Sequence, residues 1–109
     1  PNNMNQLSLS FQVPDRVPWL YVRNRGVDRL EIVWGAISIK DAHGVLLGYT
    51  VHYRISYWYE SFTNVSVNAS TRELNITGLM EATRYEIKVA GRTAAGKGAE
   101  RSTHAETGM

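Results

Sequence analysis

Residues 49–53, Tyr-Thr-Val-His-Tyr, alternate large apolar side chains with polar ones. The same two-residue period recurs in residues 30–34 (Leu-Glu-Ile-Val-Trp) and in residues 85–89 (Tyr-Glu-Ile-Lys-Val). Because successive side chains of a β-strand point to opposite faces, each stretch predicts a strand that is buried on one side. The spacing of an amphipathic helix is nowhere sustained. These three stretches therefore predict an all-β domain.

Turn signals divide the chain between these strands. Gly, Asp, Asn and Ser cluster at residues 25–26, 41–44, 68–70, 78 and 96–98. Shorter alternating stretches occur at residues 20–22 and 74–76. Together these signals predict about six or seven strands at intervals of roughly a dozen residues, which is typical of an antiparallel sandwich of two sheets.

The inward positions of these strands carry the bulkiest side chains. We expect seven of them to fill the space between the two sheets: Trp34, Tyr49, Val51, Tyr53, Leu79, Tyr85 and Ile87. The alternative, an aromatic ligand pocket, needs polar side chains that converge among the rings. The pattern contains none, so the core interpretation is preferred.

The composition excludes several classes of protein. The chain has 109 residues, 12 Lys and Arg against 10 Asp and Glu, 43% apolar residues and no cysteine. This suits one globular domain and excludes disulfides, Cys-ligated zinc, iron–sulfur clusters and thiol nucleophiles. The net charge of +2 comes without a run of Lys or Arg, so no nucleic acid is expected as a partner.

Neither a membrane-spanning segment nor an N-terminal signal peptide is predicted within this sequence. No apolar run approaches the ~20 residues of a membrane helix, so no direct membrane contact is expected. Residues 1–12 lack the basic flank and apolar stretch of a signal peptide. Because the chain starts at Pro1 rather than at Met, we expect it to be an excerpt of a longer polypeptide.

Several motifs together resemble a fibronectin type III domain. Pro14 and Pro18 resemble the proline pair that opens the first strand, and residues 30–34 the second strand with its core Trp. Residues 44–54 (Gly-Val-Leu-Leu-Gly-Tyr-Thr-Val-His-Tyr-Arg) are similar to the third strand of the family. The corner and sixth strand of the family resemble residues 74–90, and its last turn resembles residues 94–98.

The resemblance implies a seven-stranded antiparallel immunoglobulin-like sandwich without a disulfide. It covers residues 14–107, with residues 1–13 as a linker or extended segment and residues 108–109 as a tail. Tyr85 takes the place of the tyrosine corner, whose hydroxyl bonds to a backbone group a few residues upstream.

The chain also departs from the family. Residues 35–40 (Gly-Ala-Ile-Ser-Ile-Lys) replace the prolines that often follow the core Trp, so we expect a less rigid or partly extended loop there. Met80-Glu81 stands where Lys-Pro is common. The integrin-binding Arg-Gly-Asp tripeptide is absent, as is the Trp-Ser-x-Trp-Ser signature of cytokine receptors.

No catalytic or metal-binding constellation is predicted. His43, His52 and His104 are far apart, and none has a second histidine or an acid at ligand spacing. Nucleophile elbows, phosphate-binding glycine loops and zincin motifs are absent. The sequence therefore predicts no enzyme, no metal and no cofactor.

Three N-x-Ser/Thr triplets crowd into residues 64–77, whereas chance predicts roughly one in such a chain. We interpret their asparagines as N-glycosylation acceptors, although polar decoration of strands and turns is the alternative. A sugar-coated surface is not expected to be the partner face. The acceptors are Asn64, Asn68 and Asn75.

The outward positions of the third and sixth strands suggest a surface for a protein partner. If Val51 and Ile87 point inward, then a neighbouring set of basic and aromatic side chains points outward. The alternative is that the Arg and Lys stems only cover aromatic faces by cation–π contact. The candidate partner face comprises His52, Arg54, Tyr57, Trp58, Tyr59, Lys88 and Arg92.

The family resemblance implies a non-catalytic extracellular spacer and protein-interaction module. We expect it in the ectodomain of a cell-surface adhesion molecule or receptor, such as a receptor tyrosine phosphatase or neural adhesion protein. Its partners would be other proteins or neighbouring modules of the same chain, and the isolated domain is expected to be a monomer. The alternatives are a glycosaminoglycan-binding matrix module, an intracellular muscle or cytoskeletal scaffold module, and an appended module of a bacterial polysaccharide hydrolase.

Overall fold

The computed structural model describes residues 12–57 and 61–109. Within these ranges the chain forms eight strands and one short helix. The strands are β1 (Leu20–Arg25), β2 (Leu30–Trp34), β3 (Gly48–Ile55), β4 (Thr63–Asn68), β5 (Glu73–Ile76), β6 (Arg84–Thr93), β7 (Gly96–Lys97) and β8 (Arg101–Glu106). The helix α1 (Ile39–Ala42) lies between β2 and β3.

The strands form two antiparallel sheets. A three-stranded sheet has the order β1-β2-β5, and a five-stranded sheet has the order β4-β3-β6, with β7 and β8 both paired to β6. The predicted all-β, two-sheet sandwich without a disulfide is confirmed. The eighth strand is the two-residue β7, which forms the tight connection between β6 and β8.

The core lies between the sheets and is built from the inward side chains of β2, β3 and β6. Trp34 and Tyr49 are fully buried, with ring centroids 5.7 Å apart. Tyr53 differs from the expectation, because it is only half-buried. It lies near the end of β3, opposite Thr63 at the first position of β4, and packs against the edge of the core. The other predicted core residues are buried: Val51, Leu79, Tyr85 and Ile87.

Two buried tyrosines bind backbone groups of neighbouring loops. The hydroxyl of Tyr85 accepts a hydrogen bond from the backbone N–H of Met80 at 2.9 Å, which is the geometry of a tyrosine corner. The hydroxyl of Tyr49 accepts one from the backbone N–H of Ile37 at 3.1 Å. Tyr49 therefore holds the loop that follows the core Trp.

That loop is partly helical rather than extended. Ser38 caps α1, because its side-chain oxygen accepts from the backbone N–H of Asp41 at 3.2 Å. The helix ends at His43, which adopts a left-handed backbone conformation with φ of 56°. The backbone N–H of Asp15 donates to the Asp41 carbonyl at 2.9 Å and fixes α1 to the segment before β1.

The folded unit reaches one residue beyond the predicted C-terminal boundary. Gly108 donates its N–H to the carbonyl of Gly26 at 2.8 Å and accepts from the N–H of Ala82 at 2.9 Å. These bonds join the chain after β8 to the turns at one end of the sandwich, so Gly108 is part of the domain rather than of a tail.

Candidate functional site

The outward face of the five-stranded sheet carries the candidate site. The strand register places His52 of β3 between Asn64 of β4 and Lys88 of β6, and it places Arg54 opposite Glu86. Because cross-strand neighbours share a face, these side chains form two adjacent rows on the outside of the sheet.

Phe62 lies over these rows just before β4 begins. The Arg54 guanidinium carbon is 4.2 Å from the centroid of the Phe62 ring, and the Lys88 ammonium nitrogen is 5.0 Å from it. The His52 ring meets Phe62 edge-on, with centroids 6.3 Å apart. Both cations lie within the range of cation–π attraction. We define the Phe62 patch as His52, Arg54, Phe62, Lys88 and Glu100.

Carboxylates balance the positive charges of this face. Arg54 pairs with Glu86 at 3.2 Å. Glu100, which precedes β8, lies 2.9 Å from Lys97 and 3.7 Å from both Lys88 and the His52 ring. The hydrogen bond from Lys97 lowers the pKa of the Glu100 carboxyl, assisted by the charges of Lys88 and His52 and opposed by partial burial. The face is therefore mixed in charge rather than a basic stripe.

Arg92 lies on the same face but at its other end. Its guanidinium donates to the backbone carbonyls of Tyr49 at 2.7 Å and Val67 at 3.3 Å. A Cβ at Gly48, which is opposite Arg92, would meet this guanidinium at 2.7 Å and the Val67 carbonyl at 2.2 Å. Arg92 thus joins β6 to β3 and β4, and glycine at position 48 leaves it room.

The aromatic segment before β4 is described in part. Tyr57 is 74% exposed, whereas Trp58 and Tyr59 lie outside the described residues. Phe62 and Glu100 are not among the site residues predicted from the sequence. The position of Phe62 could have been predicted from the sequence. It lies two residues before Asn64, and side chains two residues apart in a strand point to the same face. For Glu100 the sequence shows only an opposite charge three residues away, at Lys97, whereas its contacts with His52 and Lys88 depend on the fold.

The predicted acceptor asparagines are all exposed, but they do not share one surface. Asn64 and Asn68 lie on the outward face of the five-stranded sheet, and Asn75 lies on the three-stranded sheet. The His52 Nδ1 atom is 2.5 Å from Asn64 Oδ1. The expected separation of a sugar-bearing surface from the partner face is therefore wrong for Asn64, which borders the Phe62 patch.

Comparisons with known proteins agree with this architecture. The family model of the fibronectin type III domain matches residues 13–108. The chain belongs to the fibronectin type III domain family. Members of this family are in general non-catalytic binding modules.

One curated relative and two solved structures illustrate the likeness. Protein sidekick of Drosophila melanogaster is 24% identical over 97 residues, which is 89% of this chain but only 4% of that protein. The chicken CNTN1 FN1–FN3 domains have a TM-score of 0.79 at 20% identity, covering 88% of this chain and 33% of that one. The third fibronectin III domain of human KIAA0343 protein has a TM-score of 0.76 at 18% identity, covering 91% of this chain and 86% of that one.

The opposite outer face of this fibronectin type III domain has a different chemistry. On the three-stranded sheet, Arg23 pairs with Glu31 at 3.0 Å and also with Glu73 of β5. The hydrogen bond from Arg23 lowers the pKa of Glu31. Trp19 and Tyr21 stack with ring centroids 5.4 Å apart and are about half exposed. This pair is not among the residues predicted from the sequence either.

The described residues contain no group of three or more His, Asp or Glu side chains able to hold a metal ion. His43 has one acidic neighbour in space, with its Nε2 atom 3.2 Å from Asp15 Oδ1. Among the same residues, no helix is long and apolar enough to cross a bilayer.

Proposed function

We propose that this chain is a non-catalytic extracellular spacer and protein-interaction module of a cell-surface adhesion molecule or receptor. The observation that carries the proposal is the Phe62 patch, an aromatic ring flanked by Arg54 and Lys88 on the outer face of the five-stranded sheet. In this proposal the patch contacts another protein or a neighbouring module of the same polypeptide.

The chemistry of the patch supports protein contact. Aromatic and Arg side chains are enriched at protein interfaces and contribute most of their binding energy. Phe62 holds Arg54 and Lys88 in place before a partner arrives, which reduces the side-chain entropy lost on binding. Glu86 and Glu100 add negative charge to the same surface, so a partner of mixed charge fits it better than a polyanion.

The positions of the two chain ends support the spacer role. Near the start of the described chain, the Gln12 carbonyl accepts from the side chain of Thr93, at the end of β6. Near its end, the Thr107 N–H donates to the carbonyl of Thr83, just before β6 begins. The chain therefore enters and leaves at opposite ends of this ten-residue strand, which suits a strut within a row of modules.

The likeness to the chicken CNTN1 structure agrees with such a row. This chain covers a third of that three-domain structure, the length of one domain. We further propose that Asn64, Asn68 and Asn75 carry N-linked sugars, because each is exposed within an acceptor triplet. A partner would then reach the patch from the Lys88 side, since His52 separates Lys88 from Asn64. Glycosylation would place the module outside the cell and would argue against a muscle or cytoskeletal scaffold.

The structure does not favour the glycosaminoglycan-binding alternative. A sulfated chain would have to bind through the cations of this face, which are Arg54, Lys88, Arg92 and Lys97. The Arg92 guanidinium already donates to backbone carbonyls. Arg54 pairs with Glu86, and Lys88 and Lys97 pair with Glu100. Because a polyanion must compete with these carboxylates, the face lacks the excess of positive charge that such binding needs.

Cell adhesion tests the proposal. Cells that display the parent ectodomain with Arg54→Ala and Lys88→Ala should adhere to partner-bearing cells several-fold more weakly than cells displaying the wild type. The matched control is Arg25→Ala with Arg29→Ala, which removes two exposed charges at the end of the three-stranded sheet and should leave adhesion unchanged. Circular dichroism of the secreted chains verifies that both variants fold. Unchanged adhesion of the patch variant, or an equal loss in the control, would refute the assignment of this face.

A further inference from the structure

Among the described residues, the two sheets have four edges, which differ in how they are protected. The strand order leaves β1 and β5 at the edges of one sheet, and β4 and the β7–β8 hairpin at the edges of the other. An edge strand presents unpaired N–H and C=O groups, to which a strand of another molecule can add. Natural edges therefore carry charges, prolines or bulges that oppose such pairing.

Three of these edges have such protection. β1 carries Arg23 and Arg25, and its pairing with β2 is irregular between Val22 and Asn24. β5 is only four residues long and carries Glu73. The β7–β8 hairpin carries charged residues in both of its strands, including Lys97.

β4 has none of these features. Its six residues, Thr-Asn-Val-Ser-Val-Asn, include no charge and no proline. They pair with β3 in continuous register from Thr63 to Asn68, without a bulge. Val65 and Val67 point inward and are partly buried. A regular, uncharged strand rich in β-branched residues is the type of segment that adds to a copy of itself.

We propose that N-linked sugars on Asn64 and Asn68 protect the β4 edge against pairing with a second copy of this chain. The two asparagines lie near the two ends of the strand, and both point to the outer face. A branched sugar at each position would prevent a second strand from approaching along the length of β4. This inference rests on the proposed glycosylation and gives those sugars a physical role.

The side-chain geometry is compatible with sugars at both positions. The Asn64 carboxamide oxygen accepts from the His52 ring. The Asn68 carboxamide oxygen accepts from the N–H of Ser70 at 3.0 Å and from the hydroxyls of Ser70 and Thr71 at 2.8 and 2.9 Å. In both cases the bonds use the oxygen and orient the amide, while the nitrogen that carries a sugar is not used in them.

Asn75 provides the internal comparison. It lies on β5, an edge that is already short and charged. A sugar there is not needed to prevent strand pairing, so its loss should have little effect on association. The chain thus contains both the test position and its control.

The experiment compares the chain and its variants secreted from animal cells. Ser66→Ala with Ser70→Ala removes the Asn64 and Asn68 acceptor triplets without changing either asparagine, and Thr77→Ala removes only the Asn75 triplet. Intact mass before and after enzymatic deglycosylation measures the attached sugar. Light scattering after size exclusion, together with thioflavin fluorescence on incubation, measures association through strands.

We expect the double serine variant to form dimers and larger species several-fold more than the wild type at equal concentration, while Thr77→Ala stays monomeric. Ser66→Lys with Ser70→Ala also lacks both sugars but places a charge at the centre of the strand, so it should restore the monomer. Circular dichroism shows that each variant folds before incubation.

The outcomes separate this inference from the proposed glycosylation. If the wild type carries sugar but the double serine variant remains equally monomeric, only the edge protection is refuted. Equal association of the lysine variant and the double serine variant would also refute it, because association would not then proceed through β4. A wild-type mass that does not change on deglycosylation would refute the glycosylation, and with it the role assigned to the sugars.

Discussion

The two faces of β3 differ in what holds their side chains. On the inner face, Tyr49 and Val51 are fully buried against the opposite sheet, and their stabilisation comes mainly from apolar burial and dense packing. On the outer face, His52 and Arg54 are half-buried under Phe62 and make specific contacts with groups from other strands. The inner face of β3 thus contributes to the hydrophobic core, and its outer face contributes to the Phe62 patch.

This difference has an energetic consequence. Inner-face contacts are numerous and tolerate no water, so removing a large side chain leaves a cavity. Outer-face contacts are few and partly solvated, so each contributes less to folding and remains accessible to a partner. We therefore expect changes on the inner face to affect stability strongly and changes on the outer face to affect it weakly.

The largest effect is expected at Trp34. Trp34→Ala should lower the free energy of unfolding by about 3–5 kcal/mol, since it removes a fully buried ring packed on Tyr49 and leaves a cavity. Equilibrium denaturation in urea, followed by circular dichroism, measures the change. The matched control is Tyr21→Ala, which removes a half-exposed ring on the other sheet and should cost less than about 1 kcal/mol. A loss below about 1 kcal/mol at Trp34 would contradict the inner-face assignment.

The inner face could be predicted from the sequence because its signal is local. An alternation of two residues is sufficient to place Trp34, Val51 and Ile87 on buried faces, and no knowledge of which strands pair is needed. The same rule overestimated the burial of Tyr53. Alternation predicts to which face a side chain points, but not how completely that side chain is covered. The extent of burial near the end of a strand is a property of the assembled sandwich.

The outer face could be predicted only in part. Alternation placed His52, Arg54 and Lys88 outward, and the structure brings them together. The contact of Glu100 with Lys88 and the bonds from Arg92 to β3 and β4 both join segments distant in the sequence. Such contacts depend on the register and on side-chain conformations, so a spacing rule does not find them.

An intermediate effect is expected at Phe62. Phe62→Ala should lower the free energy of unfolding by about 1–2 kcal/mol, because it exposes a half-buried surface and removes the cation–π contacts of Arg54 and Lys88. Urea denaturation again measures the change. Tyr57→Ala, at a ring 74% exposed in the turn after β3, is the control and should be nearly neutral. A loss as large as that of Trp34→Ala would mean that the two faces of β3 are energetically alike.

The smallest effect, which should be visible mainly as a pH dependence, is expected at Glu100. The hydrogen bond from Lys97 lowers the pKa of Glu100 from its ordinary value of 4.5, so the folded state binds a proton less readily than the unfolded state does. The stabilisation is therefore complete above the unfolded pKa and is lost as the pH falls through the lower folded pKa. Between about pH 5 and pH 3, the stability of the wild type should fall more steeply than that of Glu100→Gln.

The other sheet supplies a matched variant. Arg23 lowers the pKa of Glu31 in the same direction, so Glu31→Gln should also reduce the acid dependence, through a separate ion pair. Lys97→Ala should weaken the acid dependence that comes from Glu100 more than Lys88→Ala does, because Lys97 is the larger cause of the shift. Urea denaturation at a series of pH values measures each profile. Parallel profiles of the wild type and Glu100→Gln would show that the outer-face carboxylate is solvated rather than held by its lysines, and the patch would then lack its negative partner.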